Sequence, residues 1–247
     1  MAAPGWEVKN INGTQLPPTH AVAGSLVSVV IPALNAAASL PATLACLRAD
    51  GGLIGEVVVV DGGSADATVS VAAALGARVL AAPRGRGGQL AAGVAASRGF
   101  WLLLLHADTR LMPGWQHAAR SHIANMPNAV GYFRFALDSD DPRARRLERA
   151  VAWRCRWLAL PYGDQGVLIS RALLDSVGGI ANLPLMEDVD LVRRLGRRRL
   201  APLDAAAITS ALRWRREGWL RRSARNLLCL ALYFLGVPPR HIRRFYR

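Results

Sequence analysis

This chain of 247 residues has little cysteine and no long apolar run. Its three cysteines, Cys46, Cys155 and Cys229, are scattered without C-x-x-C spacing. That pattern argues against a zinc site or a disulfide framework and fits a reducing compartment. The C-terminal run at 227–237 holds eleven apolar residues, too few for a bilayer span, which takes roughly 20. Residues 1–25 lack a basic segment followed by an apolar one, so no signal peptide is expected. With the Pro17-Pro18 pair they read as a loose tail. Internal repeats and a domain-sized linker are also absent. At this length, one α/β domain with a substantial core is the natural reading.

Charge is plentiful but one-sided. The net charge is +14, and every basic residue except Lys9 is arginine. Residues 1–142 balance at nine basic and nine acidic side chains, whereas 143–247 hold twenty-two basic and eight acidic ones. A basic half of this kind suits an anionic partner such as phospholipid, a phosphorylated substrate or nucleic acid.

Residues 100–109 read F-W-L-L-L-L-H-A-D-T. The unbroken apolar stretch is that of a central parallel strand buried on both faces. It ends in His106 and Asp108, whose i, i+2 spacing puts both on one side of an extended chain. In open α/β sheets the ligand crevice lies outside the carboxyl ends of the strands. Alone, H-A-D reads as a polar turn after a buried strand.

The same alternation surrounds it. Strands are expected at 26–31, closed by Pro32, at 56–60 and at 77–81. Helices are expected at 39–48, 65–75 and from the Gly85-Arg86-Gly87-Gly88 turn to Ser97. This order implies a parallel sheet with helices on both faces. Further on come a short helix at 113–123, an edge strand at 129–137, a basic helix at 143–158 carrying Trp153 and Trp157, a strand at 165–170 and a helix at 186–195. The acidic first turn of that last helix, Glu187-Asp188, fits the helix dipole by itself. Residues 227–237, flanked by arginines, form either a core-packing helix or one lying in a membrane interface.

Five stretches now fall into a recognisable order: V-S-V-V-I-P-A-L-N from Val27, V-V-V-V-D-G-G-S-A-D-A-T from Val57, G-R-G-G-Q-L-A-A-G from Gly85, L-L-H-A-D-T from Leu104 and M-E-D-V-D-L from Met186. Together they resemble the inverting glycosyltransferases of family 2 with the GT-A fold, over about residues 26–200. The tail from Gly218, G-W-L-R-R-S-A-R-N-L-L-C-L-A-L-Y-F-L-G-V-P-P, is similar to a bacterial subgroup of short, stand-alone members, some found beside radical-enzyme or selenium-associated genes. The implied organisation is a tail at 1–25, a GT-A domain at 26–215 and a basic, apolar helical segment at 216–247, packed on the domain or on a membrane surface.

The resemblance implies transfer of one sugar from a nucleotide diphosphate donor, UDP- or GDP-linked, to a hydroxylated acceptor that is small or lipid-like. Pro32, Ala33 and Asn35 would line the nucleotide pocket, with Asn35 where the family often has an acid. Asp61 would accept from base or ribose, assisted by Asp66. Arg86, in a glycine turn before a helix, would reach the diphosphate, with Gln89 one turn on. Asp108 matches the last carboxylate of the family's D-x-D motif, which holds Mn or Mg. His106 stands where its first carboxylate would be, and imidazole suits Mn better than Mg. Asp188 would be the base, supported by Glu187. Asp164 and Gln165 would lie on the acceptor side. Arg213 and Trp214 resemble part of the Q-x-x-R-W motif of processive synthases and are placed there too, although Ser210 replaces the Gln.

Two other classes compete. A nucleotidyltransferase usually has a Gly-rich, Lys- or Arg-bearing loop after its first strand, which residues 32–38 lack. A nucleic-acid binder would suit the charge, but no binding module or stacking platform is recognisable, and no nucleic acid is expected. A cytoplasmic protein, in peripheral contact with an anionic membrane on its inner face, fits the remaining features.

Overall fold

The computed structural model describes residues 27–48 and 51–245. The expected tail lies outside the described residues. The first half alternates as the sequence indicates: β1 (Val27–Ala33), α1 (Leu40–Arg48), β2 (Ile54–Asp61), α2 (Thr68–Ala74), β3 (Arg78–Ala81), α3 (Arg86–Ala96) and β4 (Trp101–Leu104). The second half is mixed, with β5 (Thr109–Leu111), α4 (Trp115–Asn125), β6 (Val130–Leu137), α5 (Pro142–Leu158), β7 (Val167–Ser170), α6 (Arg171–Ser176) and α7 (Glu187–Leu195). It continues with β8 (Leu200–Thr209), α8 (Leu212–Glu217), α9 (Trp219–Phe234) and α10 (Pro239–Ile242).

The strands join in one sheet in the order β3-β2-β1-β4-β7-β6-β8-β5. The first four run parallel. β7 is antiparallel to β4, and β6 is antiparallel to β7. Helices cover both faces over two apolar clusters, one around Val29, Ile31, Leu103 and Trp115, the other around Val30, Leu102, Leu104 and Ile169. The approach of α3 is so close that a Cβ on Gly93 would lie 2.3 Å from Val30 Cγ1.

Three local expectations change. Pro32 does not end β1, because pairing with β4 stops at Val30 while pairing with β2 continues through Pro32 to Asp61's partner Ala33. Past Val30 the strand has an unpaired side, where a missing N–H is tolerated. Phe100 is not buried with its neighbours but 75% exposed, just before β4. The expected edge strand is an inner one: β6 lies between β7 and β8, and its Phe133 is fully buried.

The loop 105–108 connects β4 to β5, which are fourth and last in the sheet. From Leu104 to Thr109 the chain reaches at most about 18 Å. Four flat strand spacings would take about 19 Å. The sheet therefore curls, bringing its far edge back over the end of β4.

Candidate active site

The curl places two hollows side by side at the carboxyl ends of β1, β2 and β4. A wide groove of about 600 Å³ is lined by Pro32, Ala33, Asn35, Arg84, Arg86, Gln89, His106, Asp108, Arg213 and Arg243, among others. A smaller cavity of about 110 Å³ has Tyr162, Asp164, Asp188, Trp214, Arg222 and Asn226 in its wall. Arg86, His106, Asp108, Leu185 and Arg213 belong to both. They form the boundary across which a group could pass.

The loops after β1 and β2 hold each other. Asn35, at a positive φ of 50°, accepts from Ala65 N at 2.8 Å, and its own N–H donates to Ser64 Oγ at 2.8 Å. Ala36 N donates to Thr68 Oγ1 at 2.7 Å and Ala37 N to Asp66 Oδ2 at 3.1 Å. Asp61 is buried, and its Oδ2 accepts from Gly63 N at 2.9 Å and Ser64 N at 3.0 Å. Both acids thus shape the loops, and neither lines the groove in this structure. Gln89 is also buried, with its amide donating to Ala33 O at 2.9 Å and Val60 O at 2.8 Å. It pins α3 to the ends of β1 and β2.

The first turn of α3 is anchored on the other side as well. Gly87 N donates to Leu183 O at 3.2 Å, and a Cβ there would lie 2.5 Å from Ala181 O. This contact aims Arg86 at the start of α7. Its Nε donates to Glu187 Oε1, and its Nη2 reaches Asp188 Oδ2 at 3.2 Å. Glu187 is 1% exposed, and burial raises its pKa against the pull of Arg86.

His106 and Asp108 sit in the β4–β5 loop, not on a strand. Ala107 O accepts from Thr43 Oγ1 at 3.0 Å, and Asp108 O accepts from Ser210 N at 3.2 Å. Desolvation, with Arg86 nearby, pushes the His106 pKa down to about 4. The ring is therefore neutral near pH 7 and fit to act as a ligand. Among the described residues no three His, Cys, Asp or Glu side chains gather into a metal cage. Two protein donors facing an open groove suit a cation that takes its other ligands from phosphate and water.

On the cavity side, Asp164 is pushed up to about 6 by burial, with Arg154 opposing and Asp188 adding to the rise. Four buried polar atoms of this wall lack a hydrogen-bond partner: Asp164 Oδ1, Trp214 Nε1, Arg222 Nε and Asn226 Oδ1. Two are donors and two acceptors. Gln165, expected on this side, instead lies behind it, donating to Phe133 O at 3.0 Å and accepting from Tyr162 N at 3.2 Å. Sequence reasoning overlooked Tyr162, Arg222 and Asn226. The last two stand four residues apart in α9, a spacing that puts both on one face.

A family model for glycosyl transferase family 2 matches residues 28–181. An uncharacterised glycosyltransferase of Mycobacterium tuberculosis is 40% identical over 94 residues, 38% of this chain and 41% of that protein. The succinoglycan biosynthesis protein ExoO of Rhizobium meliloti is 38% identical over 92 residues, 35% of this chain and 26% of ExoO. The chain thus spans less than half the length of these relatives. Among solved structures, glucosyl-3-phosphoglycerate synthase from M. tuberculosis in complex with Mn2+ and UDP-glucose superposes with a TM-score of 0.58 at 22% identity, covering 88% of this chain and 82% of that one. The same enzyme with Mn2+, UDP-glucose and phosphoglyceric acid gives 0.52 at 26% identity, covering 74% and 70%. With the family model matching more than half of its length, and with this architecture, the chain belongs to glycosyl transferase family 2 and has the GT-A fold.

Proposed function

We propose that this protein transfers a single sugar, with inversion, from a nucleotide diphosphate donor to an acceptor hydroxyl. The observation that carries the reading is the boundary between the two hollows, where Arg86, His106 and Asp108 meet Asp188. The wide groove takes the nucleotide against Pro32, Ala33 and Asn35, and Asp61, Asp66 and Gln89 act as its frame. The small cavity takes the acceptor, against Asp164, Arg213, Trp214, Arg222 and Asn226, with Gln165 as support. The catalytic domain is 26–215, and from the helical segment 216–247 Arg222, Asn226 and Leu230 contribute to the wall of the acceptor cavity.

A divalent cation, Mn or Mg, would be held by Asp108 with His106, and would neutralise charge on the departing diphosphate. In the M. tuberculosis synthase this ion is Mn2+ with UDP-glucose. Arg86 adds a fixed positive charge to the same diphosphate. Asp188 takes the proton of the acceptor hydroxyl as its oxygen attacks the anomeric carbon. The new C–O bond forms on the face opposite the phosphate oxygen, and that oxygen leaves with the bonding electron pair. Arg86 drawn toward the diphosphate loosens its hold on Asp188, so the base is released when the donor is in place.

The acceptor is a hydroxylated molecule, small or lipid-like. The synthase of the comparison has been seen with phosphoglyceric acid. Peripheral contact with an anionic membrane, from the cytoplasmic side, is supported by the basic second half of the chain. No helix among the described residues is long and apolar enough to cross a membrane.

Calorimetric titration of the full chain with UDP and with GDP, each with and without Mn, tests the donor assignment. Metal-dependent binding of one nucleotide is expected. Binding of neither by folded protein would overturn the assignment.

A further inference from the structure

Helix α9 carries apolar residues on both of its faces. Its inner face carries Trp219, Arg222 and Cys229, all buried, and it turns Arg222, Asn226 and Leu230 into the acceptor cavity. Its outer face is a stripe of Leu220, Ala224, Leu227, Leu228, Ala231 and Leu235, spaced by three and four residues and exposed throughout. Leu220 is 86% exposed, Leu227 64% and Leu235 80%. A water-facing helix ordinarily keeps its one apolar stripe toward the core and a polar face outside, whereas α9 adds a second stripe on the outside. Scattered exposed leucines need no explanation, but a continuous stripe along a helix does.

We propose that this stripe lies on an anionic bilayer, with α9 parallel to the surface. Sixteen residues make a helix about 24 Å long, and leucines on one side of such a helix sink into the boundary between headgroups and acyl chains. The charge of the chain selects the partner. Arg221, beside the stripe, and Arg240 and Arg244, past its end in sequence, are all exposed. A second copy of the chain would bring the same arginines together and be repelled, whereas acidic headgroups attract them. The rest of the proposal builds on the acceptor cavity assigned above. The helix that touches the membrane outside is the wall of that cavity inside. An amphiphile anchored in the bilayer would then present its hydroxylated headgroup beside Asn226 and Arg222, within reach of Asp188.

Co-sedimentation of the full chain with vesicles tests the surface independently of catalysis. Vesicles of phosphatidylcholine containing phosphatidylglycerol should bind the protein, pure phosphatidylcholine should bind it at least tenfold more weakly, and raised salt should release it. Leu220→Glu and Leu227→Glu together should lower vesicle affinity at least tenfold while UDP affinity in solution is unchanged. Failure to bind acidic vesicles would overturn the proposal, as would unaltered binding by the double variant, or a stable dimer that this variant dissolves. Vesicle binding by a protein that binds no nucleotide would leave the membrane surface standing and overturn the donor assignment instead.

Discussion

Arg86 Nη2 stands 3.2 Å from Asp188 Oδ2, joining residues 102 apart in sequence at the line between groove and cavity. The guanidinium reaches both acids of the α7 start, one of them almost completely buried. A buried carboxylate that loses its cation is costly, about 3–5 kcal/mol. Arg86→Gln should therefore lower the melting temperature and weaken UDP binding. Adding Glu187→Gln should restore most of the stability, because the orphaned charge is gone, but not the UDP affinity. Thermal melts and titrations of the single and double variants separate the two effects.

Asp188→Asn keeps the size of the side chain and removes its basicity. Transfer should fall by about 10²–10⁴-fold, with UDP affinity retained. A variant that still transfers at the normal rate would remove Asp188 as the base.

The proposed donor pair, His106 and Asp108, predicts that nucleotide affinity depends on metal. Asp108→Ala should abolish the part of UDP affinity that chelation removes from the unaltered protein. His106→Asp should shift the preferred ion from Mn toward Mg, since it replaces imidazole with a hard oxygen. Titrations of UDP binding with each ion read both outcomes.

Asp164 has its folded-state pKa raised to about 6. Its folded form binds a proton more tightly than the unfolded chain does, so stability declines as pH rises from about 4 to about 6 and levels off beyond. Asp164→Asn removes that loss. The variant should gain stability over the unaltered protein across this window, by about 3 kcal/mol at neutral pH. Denaturant melts at pH 4, 5, 6 and 7 would detect it, and a constant gap would contradict the raised pKa.

Gly87 has no room for a side chain against the carbonyls of Ala181 and Leu183. Gly87→Ala should cost about 1–3 kcal/mol of stability and reduce transfer as well, because Arg86 is its neighbour. Gly76 has open space around its Cβ position but a positive φ of 78°. Gly76→Ala should lose stability without affecting transfer at temperatures where it stays folded.

The parallel half of the sheet was legible because its strands are nearly pure Val, Leu and Ile bounded by Gly and Asp. The second half was not. β8 escaped notice since it reads L-A-P-L-D-A-A-A-I-T, with alanines and a proline where strand formers are usual. Without β8, its neighbour β6 looked like an edge. The groups at the cavity boundary, Arg86, His106, Asp108 and Asp188, were visible through ordered motifs. The fates of Asp61, Gln89 and Gln165 were not, because a polar residue at a strand end reads alike whether it faces a ligand or caps a neighbouring backbone. Arg222 and Asn226 were not legible as site residues, because Arg222 reads with Arg221 and Arg225 as one of the basic flanks of the apolar run at 227–237 and Asn226 carries no motif.

The short crossing from β4 to β5 makes His106-Ala107-Asp108 a structural tie as well as the proposed pair of ligands. It closes a turn, His106 O accepting from Thr109 N at 3.2 Å, and the pairing of Thr109 with Thr209 fastens its far end. Length is therefore as constrained as identity. One residue inserted between Ala107 and Asp108 would break the turn closed by His106 O and Thr109 N and move both side chains, even with every residue of the site intact. The same turn is tied to β8 and the start of α8, through Thr109 paired with Thr209 and through Asp108 O accepting from Ser210 N at 3.2 Å, so the side chain proposed to hold the cation is positioned by both halves of the sheet.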